Sequence, residues 1–128
     1  MISQIGRYRK VQVFIGRSIP PVPAEVPKKM ASLLRWYSKN KKTLHPLVLA
    51  SYFHTEFEKI HPFIDGNGRV GRLLMNFILH ENKYPMINIP KKRKFKYYEV
   101  LQEAQYKGNL KPFVDFLIGL LKKSDFGF

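Results

Sequence analysis

At 128 residues, 45% of them hydrophobic, the chain is long enough to bury a core and most simply forms one domain. It has no cysteine, which excludes a disulfide framework and any thiolate metal site. A net charge of +14, from 23 Lys and Arg against 9 Asp and Glu, points to anionic partners such as nucleotides.

Residues 1–10 lack the apolar run of a signal peptide, and the uncharged stretches fall well short of a membrane span. A cytoplasmic protein with no membrane partner is expected. Residues 8–15 alternate in part, with Val11 and Val13 on one side, and read as a short strand or half a hairpin. Four prolines between Pro20 and Pro27 then make residues 19–27 an extended connector whose last proline suits a helix start.

From about 25 to 39, Met30, Leu33, Leu34 and Tyr37 recur at helical spacing. Residues 38–43 are polar and read as a loop. Pro46 opens a second helix whose stripe runs through Leu47, Ala50, Phe53, Phe57 and Ile60. A third helix is expected from about 69 to 82, with Met86–Ile89 as a brief extended turn after it. Lys91-Lys92-Arg93-Lys94 is the one dense basic run and reads as a solvated loop or a general anion patch. The remaining lysines are scattered, so nucleic acid is not the expected partner. Helices near 95–107, with Val100, Leu101 and Ala104 inward, and near 111–122 complete the chain, with Gly108-Asn109 as the break. The expected class is mainly α with a small N-terminal β element.

The chemistry gathers in His61-Pro62-Phe63-Ile64-Asp65-Gly66-Asn67-Gly68-Arg69-Val70-Gly71-Arg72. Gly66-Asn67-Gly68 can aim successive backbone N–H groups into one concavity, and a helix starting near Arg69 adds its positive end. Arg69 and Arg72, three apart, can both project toward one ligand, and a guanidinium fork matches phosphate oxygens. A bare Asp65 carboxylate would repel that phosphate unless a hard cation such as Mg²⁺ lay between them. His61 alone in the stretch titrates near neutrality and can accept a proton from an attacking hydroxyl. The chemistry implied is transfer of a phosphate-containing group to an alcohol.

Other readings fit less well. His45, His54 and His80 read as structural, since none of them pairs at the HxxxH spacing of a zinc site. Residues 66–71 match G-x-G-x-x-G, but no buried strand precedes them and no βαβ unit surrounds them. There is no G-x-x-x-x-G-K-[ST] loop.

The stretch matches every specified position of H-x-F-x-[DE]-G-N-G-R-x-x-R, and through it the chain resembles the Fic-domain family. Tyr8-Arg9, Gln12–Gly16 and Ile19–Pro21 are similar to the Fic flap and its proline exit. His45-Pro46 through Ile60, Tyr84-Pro85, Tyr97-Tyr98 and Lys111–Phe113 extend the likeness, so that effectively the whole chain, 1–128, aligns as one Fic domain. The resemblance implies a helical Fic fold with a β-hairpin flap at about 8–18, a proline connector at 19–27 and a catalytic loop at 61–72. It implies Mg²⁺-dependent transfer of AMP from ATP to a Ser, Thr or Tyr hydroxyl of a target protein.

In that reading His61 is the base and Asp65 the Mg²⁺ ligand. Gly66, Asn67 and Gly68 form the anion hole, Arg69 binds phosphates, and Arg72 grips the γ-phosphate, with Val70 and Gly71 part of the same site. Tyr98 packs on adenine with Tyr97 nearby, and Gln105 stands where relatives often have Asn. Ile15, Gly16, Arg17 and Ser18 clamp the nucleotide and align the target segment by strand-like pairing. The G-N-G-R form of the loop implies AMP transfer, whereas relatives with A-N-K-R transfer the γ-phosphate. Relatives are commonly silenced by a helix bearing [ST]-x-x-x-E-[GN]. No Ser or Thr here has Glu four residues on, so a version lacking that helix is expected, with a regulatory partner as a source of the glutamate. A nucleotide- or partner-binding module without catalysis, and a basic nucleic-acid-binding domain, are the competing classes.

Overall fold

The structure, a computed structural model, describes residues 7–16 and 18–125. Among them are five α-helices: α1 Val26–Asn40, α2 Pro46–Ile60, α3 Asn67–Glu81, α4 Lys94–Lys107 and α5 Lys111–Asp125. Short 3₁₀ turns, Pro23–Glu25 and Lys91–Arg93, lead into α1 and α4.

The central element is α2, which packs against each of the other four helices. Its composition explains this placement. Leu47, Leu49, Ala50, Phe53, Phe57 and Ile60 are all buried, covering more of the helix circumference than a single stripe would. Pro46 supplies the fixed φ of a first helical position, and Nδ1 of His45 accepts the Leu47 N–H at 3.1 Å, capping the start. The facing helices contribute Met75, Ile78 and Leu79 from α3, Val100 and Leu101 from α4, and Phe113, Phe116 and Leu117 from α5. From α1 come Val26, Met30 and Leu33, whereas Leu34 is 49% exposed and faces outward despite its helical spacing.

The segment 82–90 has no regular structure but is pinned to α3. The Asn76 side chain accepts from Ile87 N at 2.7 Å and donates to Ile87 O at 3.0 Å, holding the buried Ile87 in register. Gly108, at φ 65, caps α4 in the left-handed conformation that glycine adopts without a Cβ penalty.

Two expectations are corrected. The N-terminal hairpin is not formed: the described residues contain no strand, only one antiparallel bridge between Ile15 and Ser18. Side chains occupy acceptors that a ladder would use. Arg9 takes the carbonyls of Val11 and Pro21, and Gln12 takes those of Val13 and Pro20. The basic run forms a 3₁₀ turn rather than a loop, although its three lysines are exposed as expected. Arg93 closes a 3₁₀ turn and lies over the Phe116 ring, 5.4 Å from its centroid. No helix among the described residues is long and apolar enough to cross a membrane.

Candidate active site

The loop between α2 and α3 is held by its own sequence. His61 caps α2 at φ 52, ψ 62, its N–H donating to Phe57 O at 3.0 Å. A left-handed conformation is strained for a residue with a Cβ, and its neighbours fix it there. Arg9, 2% exposed, donates from Nε to His61 O at 2.7 Å and from Nη2 to Ile60 O at 3.1 Å, while its own N–H donates to Pro62 O at 2.8 Å. One guanidinium thereby satisfies the terminal carbonyls of α2 and places positive charge at its negative end. Phe63 anchors the next turn between Tyr8 and Phe57, at ring-centroid distances of 5.9 and 6.4 Å.

Gly66, at φ 80, is the N-cap of α3, so the helix begins at Asn67, two residues earlier than expected. By helix geometry the N–H groups of Asn67, Gly68 and Arg69 have no intrahelical acceptor and form the concavity anticipated from the glycines. The Asn67 side chain does not face that concavity. Buried, it accepts from Phe63 N at 2.9 Å and donates to Phe63 O at 2.7 Å, bracing the loop. Arg72 curls back along α3, with Nη1 only 3.2 Å from where a Cβ on Gly68 would stand. Arg69 and Asp65 are exposed, Arg72 and His61 half-buried. The His61 imidazole makes no hydrogen bond among the described residues. Burial, then the Arg9 charge, lowers its pKa, so the neutral, proton-accepting form dominates at pH 7.

The remaining expected site residues divide. Tyr98 is 51% exposed, but Tyr97 is buried, its hydroxyl 2.7 Å from His54 Nε2 and its ring against Phe113 and Phe116. Tyr97 thus belongs to the core and offers no face to a ligand. Val70 is half-buried and packs on the core. Gly71 is a packing position: a Cβ there would run into the Glu58 carboxylate and come within 3.2 Å of Phe57. Gln105 donates to Thr55 O at 3.2 Å, tying α4 to α2. Ile15 and Ser18 exchange two backbone hydrogen bonds, at 3.1 and 2.7 Å, around exposed Gly16 at φ 57. Arg17, between them, lies outside the described residues. No group of three or more His, Cys, Asp or Glu among the described residues could hold a metal by itself.

The Fic/DOC family profile matches residues 1–79, more than half the chain and all of the loop. This chain belongs to the Fic/DOC family. The Protein adenylyltransferase Fic of Drosophila persimilis is 42% identical over 120 residues, which is 93% of this chain but 23% of that protein. The chain therefore spans about a quarter of the length of such relatives. A Fic-domain-containing signaling protein from Bacteroides thetaiotaomicron superposes with a TM-score of 0.84 at 34% identity, covering 93% of this chain and 52% of that one. Fic-1 from C. elegans superposes at 0.85 with 30% identity, covering 97% and 36%.

Three residues that shape this Fic loop carry no signal in the motif itself. Arg9 stands far away in sequence and acts through carbonyls. His54 is fully buried, with Nδ1 3.0 Å from Gly71 O and Nε2 on the Tyr97 hydroxyl, which joins α2, α3 and α4. The Gly71 carbonyl can only accept, so Nδ1 carries the proton and Nε2 accepts from Tyr97. Glu58 lies behind the motif with Oε2 shut away from solvent and without a hydrogen-bond partner. In sequence it stands at helical spacing from Ser51, His54 and Thr55, the polar residues of α2 that are also buried.

Proposed function

We propose that this chain is the catalytic module of a protein adenylyltransferase, moving AMP from ATP to a Ser, Thr or Tyr hydroxyl of a target protein. The observation that carries the reading is the pairing of two features in one loop. A half-buried, neutral His61 with an uncommitted imidazole immediately precedes the N-terminus of α3 and its two arginines.

The nucleotide's phosphates would sit in the concavity of the Asn67, Gly68 and Arg69 N–H groups, with Arg69 and Arg72 completing the cationic wall. Tyr98 offers its exposed ring to the adenine. The Ile15–Ser18 turn, with Gly16 at its tip, would hold the target segment beside the loop through backbone pairing. The hydroxyl oxygen attacks the α-phosphorus, the bond to the β-phosphate's bridging oxygen breaks, pyrophosphate leaves, and His61 takes the hydroxyl proton.

Asp65 suits a Mg²⁺ site of the kind built from one protein carboxylate plus substrate phosphates, since it is exposed, has no ion pair among the described residues and stands beside an anion-binding concavity that a carboxylate alone would oppose. When bound there, the ion would neutralise charge on the phosphate oxygens. The partners in this reading are a protein presenting a hydroxyl and a regulatory protein whose carboxylate could compete for Arg72.

The test is labelling of candidate targets with ATP carrying the label at either the α- or the γ-phosphate, with Mg²⁺. Transfer of α-label that disappears in His61→Ala is the expected result. Transfer of γ-label, or α-label undiminished in His61→Ala, would overturn the assignment.

A further inference from the structure

A groove of about 640 Å³ lies between the proline connector, α1 and the second half of α2. Its volume falls in the ordinary range of binding sites, and the proposed reaction does not use it. Two of its wall residues adjoin the site along the chain: Ile19 follows Ser18, and Ile60 precedes His61. Pro21 is a third, and its carbonyl accepts from Arg9 Nη2 at 2.6 Å while Arg9 Nε holds His61 O at 2.7 Å. The groove therefore begins where the Ile15–Ser18 turn ends.

Its lining is of two kinds. Trp36 of α1 and Tyr52 of α2 stack with ring centroids 4.2 Å apart, both half-buried. Neither the Trp36 indole N–H nor the Tyr52 hydroxyl has a hydrogen-bond partner among the described residues. With Ile19, 74% exposed, they present an apolar surface with two open polar tips, the kind that anchors a side chain at a protein interface. Around it stand Lys28, Lys29 and Lys59, all exposed, against Glu25 and Glu56. Among the described residues none of these lysines is ion-paired. Three unpaired ammonium groups, on a chain of net charge +14, favour an acidic occupant and oppose a second copy of this chain.

We propose that this groove docks the target protein: an acidic segment lays an aromatic side chain on Trp36 and Tyr52 and brings its carboxylates to Lys28, Lys29 and Lys59. The inference rests on the adenylyltransferase reading for calling the occupant a target. Backbone pairing at the Ile15–Ser18 turn is blind to side chains and would accept many hydroxyl-bearing segments. A neighbouring groove that reads charge and an aromatic ring supplies the discrimination that such pairing lacks.

Trp36 is the one tryptophan of the chain, so its emission reports on the groove directly. The test titrates the 128-residue chain, without nucleotide and with excitation selective for tryptophan, at about 0.15 M salt. The probes are a random copolymer of Glu and Tyr and one of Lys and Tyr. Expected is a saturable change in Trp36 emission with the Glu–Tyr copolymer and none with the Lys–Tyr copolymer. Lys28→Glu/Lys29→Glu should weaken the Kd for the Glu–Tyr copolymer about tenfold or more. Both substitutions lie in the first turn of α1, where a carboxylate suits the helix, so the fold is not put at risk. Lys91→Glu/Lys92→Glu makes the same charge change outside the groove and should weaken binding by less than about threefold. The proposal is overturned by the absence of a saturable change, by an equal response to the Lys–Tyr copolymer, or by equal weakening in the two double variants. Emission that changes with protein concentration alone, as a second copy in the groove would cause, overturns it as well. Because no ATP is present, the result stands apart from the labelling test, whose failure would remove the transfer reaction and leave this measurement intact.

Discussion

Arg9 and His61 are joined by a 2.7 Å hydrogen bond from the Arg9 Nε to the His61 carbonyl, so the candidate base is positioned by a residue 52 places earlier. The same guanidinium reaches Val11 O at 3.0 Å, Pro21 O at 2.6 Å and Ile60 O at 3.1 Å. Among the described residues no carboxylate pairs with it. A buried cation held only by carbonyls depends on the fork geometry of guanidinium, which an ammonium does not reproduce.

Arg9→Lys should therefore be far from conservative. At least one of the four carbonyls would lose its donor and the others would be poorly reached, costing about 2–4 kcal/mol in stability. AMP transfer should fall at least about tenfold through displacement of His61. Urea unfolding and α-label transfer, measured on the same preparation, check both outcomes. Unchanged transfer by a folded Arg9→Lys protein would mean that His61 is held by the loop alone.

The pH dependence of transfer follows from the direction in which His61 is shifted. Its pKa is lowered, first by burial and second by Arg9, so the neutral base survives to lower pH than a free imidazole would. The acidic limb of the kcat/KM profile should fall below the ordinary histidine value of roughly 6.5. Lowering the charge at position 9, as in Arg9→Gln, should move that limb upward. The profile at fixed Mg²⁺ and a single target substrate reads both shifts.

How much of this could be read beforehand depends on the range of the interaction. The helices were legible because their apolar spacing is local, and Pro46 and Gly108 mark boundaries by backbone chemistry alone. The motif placed His61, Asp65, Arg69 and Arg72 around one loop for the same local reason. The alternation of Val11 and Val13 suggests a hairpin, but it carries no information about Arg9 and Gln12 taking the carbonyls around it. Tyr97 and Tyr98 are neighbours in sequence, but adjacent helical residues point about 100° apart and only one of them can face a ligand. Arg9, His54 and Glu58 act across helices, and nothing in their immediate sequence announces that.

That split between the two tyrosines is itself testable. Tyr98→Ala removes an exposed ring and should raise the ATP Kd several-fold, on the scale of about 1 kcal/mol for aromatic stacking, with little change in melting temperature. Tyr97→Phe keeps the ring but takes the donor from His54 Nε2 and should cost about 1–2 kcal/mol in stability. Its effect on ATP binding should be the smaller of the two. Thermal melts and calorimetry separate the pair, and the opposite pattern would place Tyr97 at the nucleotide.

His54 and Glu58 give the fold an acid response in which two buried groups oppose each other. Burial lowers His54 to about 4, so the unfolded chain binds a proton there that the folded one refuses. Its contribution is complete above the unfolded value near 6.5 and is lost as pH falls toward 4. Glu58, raised to about 7, behaves in reverse: the folded state keeps a proton that the unfolded state has released, so its contribution grows as pH falls from 7 toward the ordinary carboxylate range. Between about pH 6.5 and 4.5 each effect amounts to roughly 2–3 kcal/mol, at about 1.4 kcal/mol per unit, and the two nearly offset. The wild type should therefore show little change in unfolding free energy across that interval from this pair. Glu58→Gln removes one side and should uncover a loss of about 2–3 kcal/mol at pH 4.5 relative to pH 6.5. Urea titrations of both proteins at the two pH values decide it: no loss in Glu58→Gln would mean that His54 is not held neutral by the core, and equal losses in both proteins that Glu58 is not held protonated.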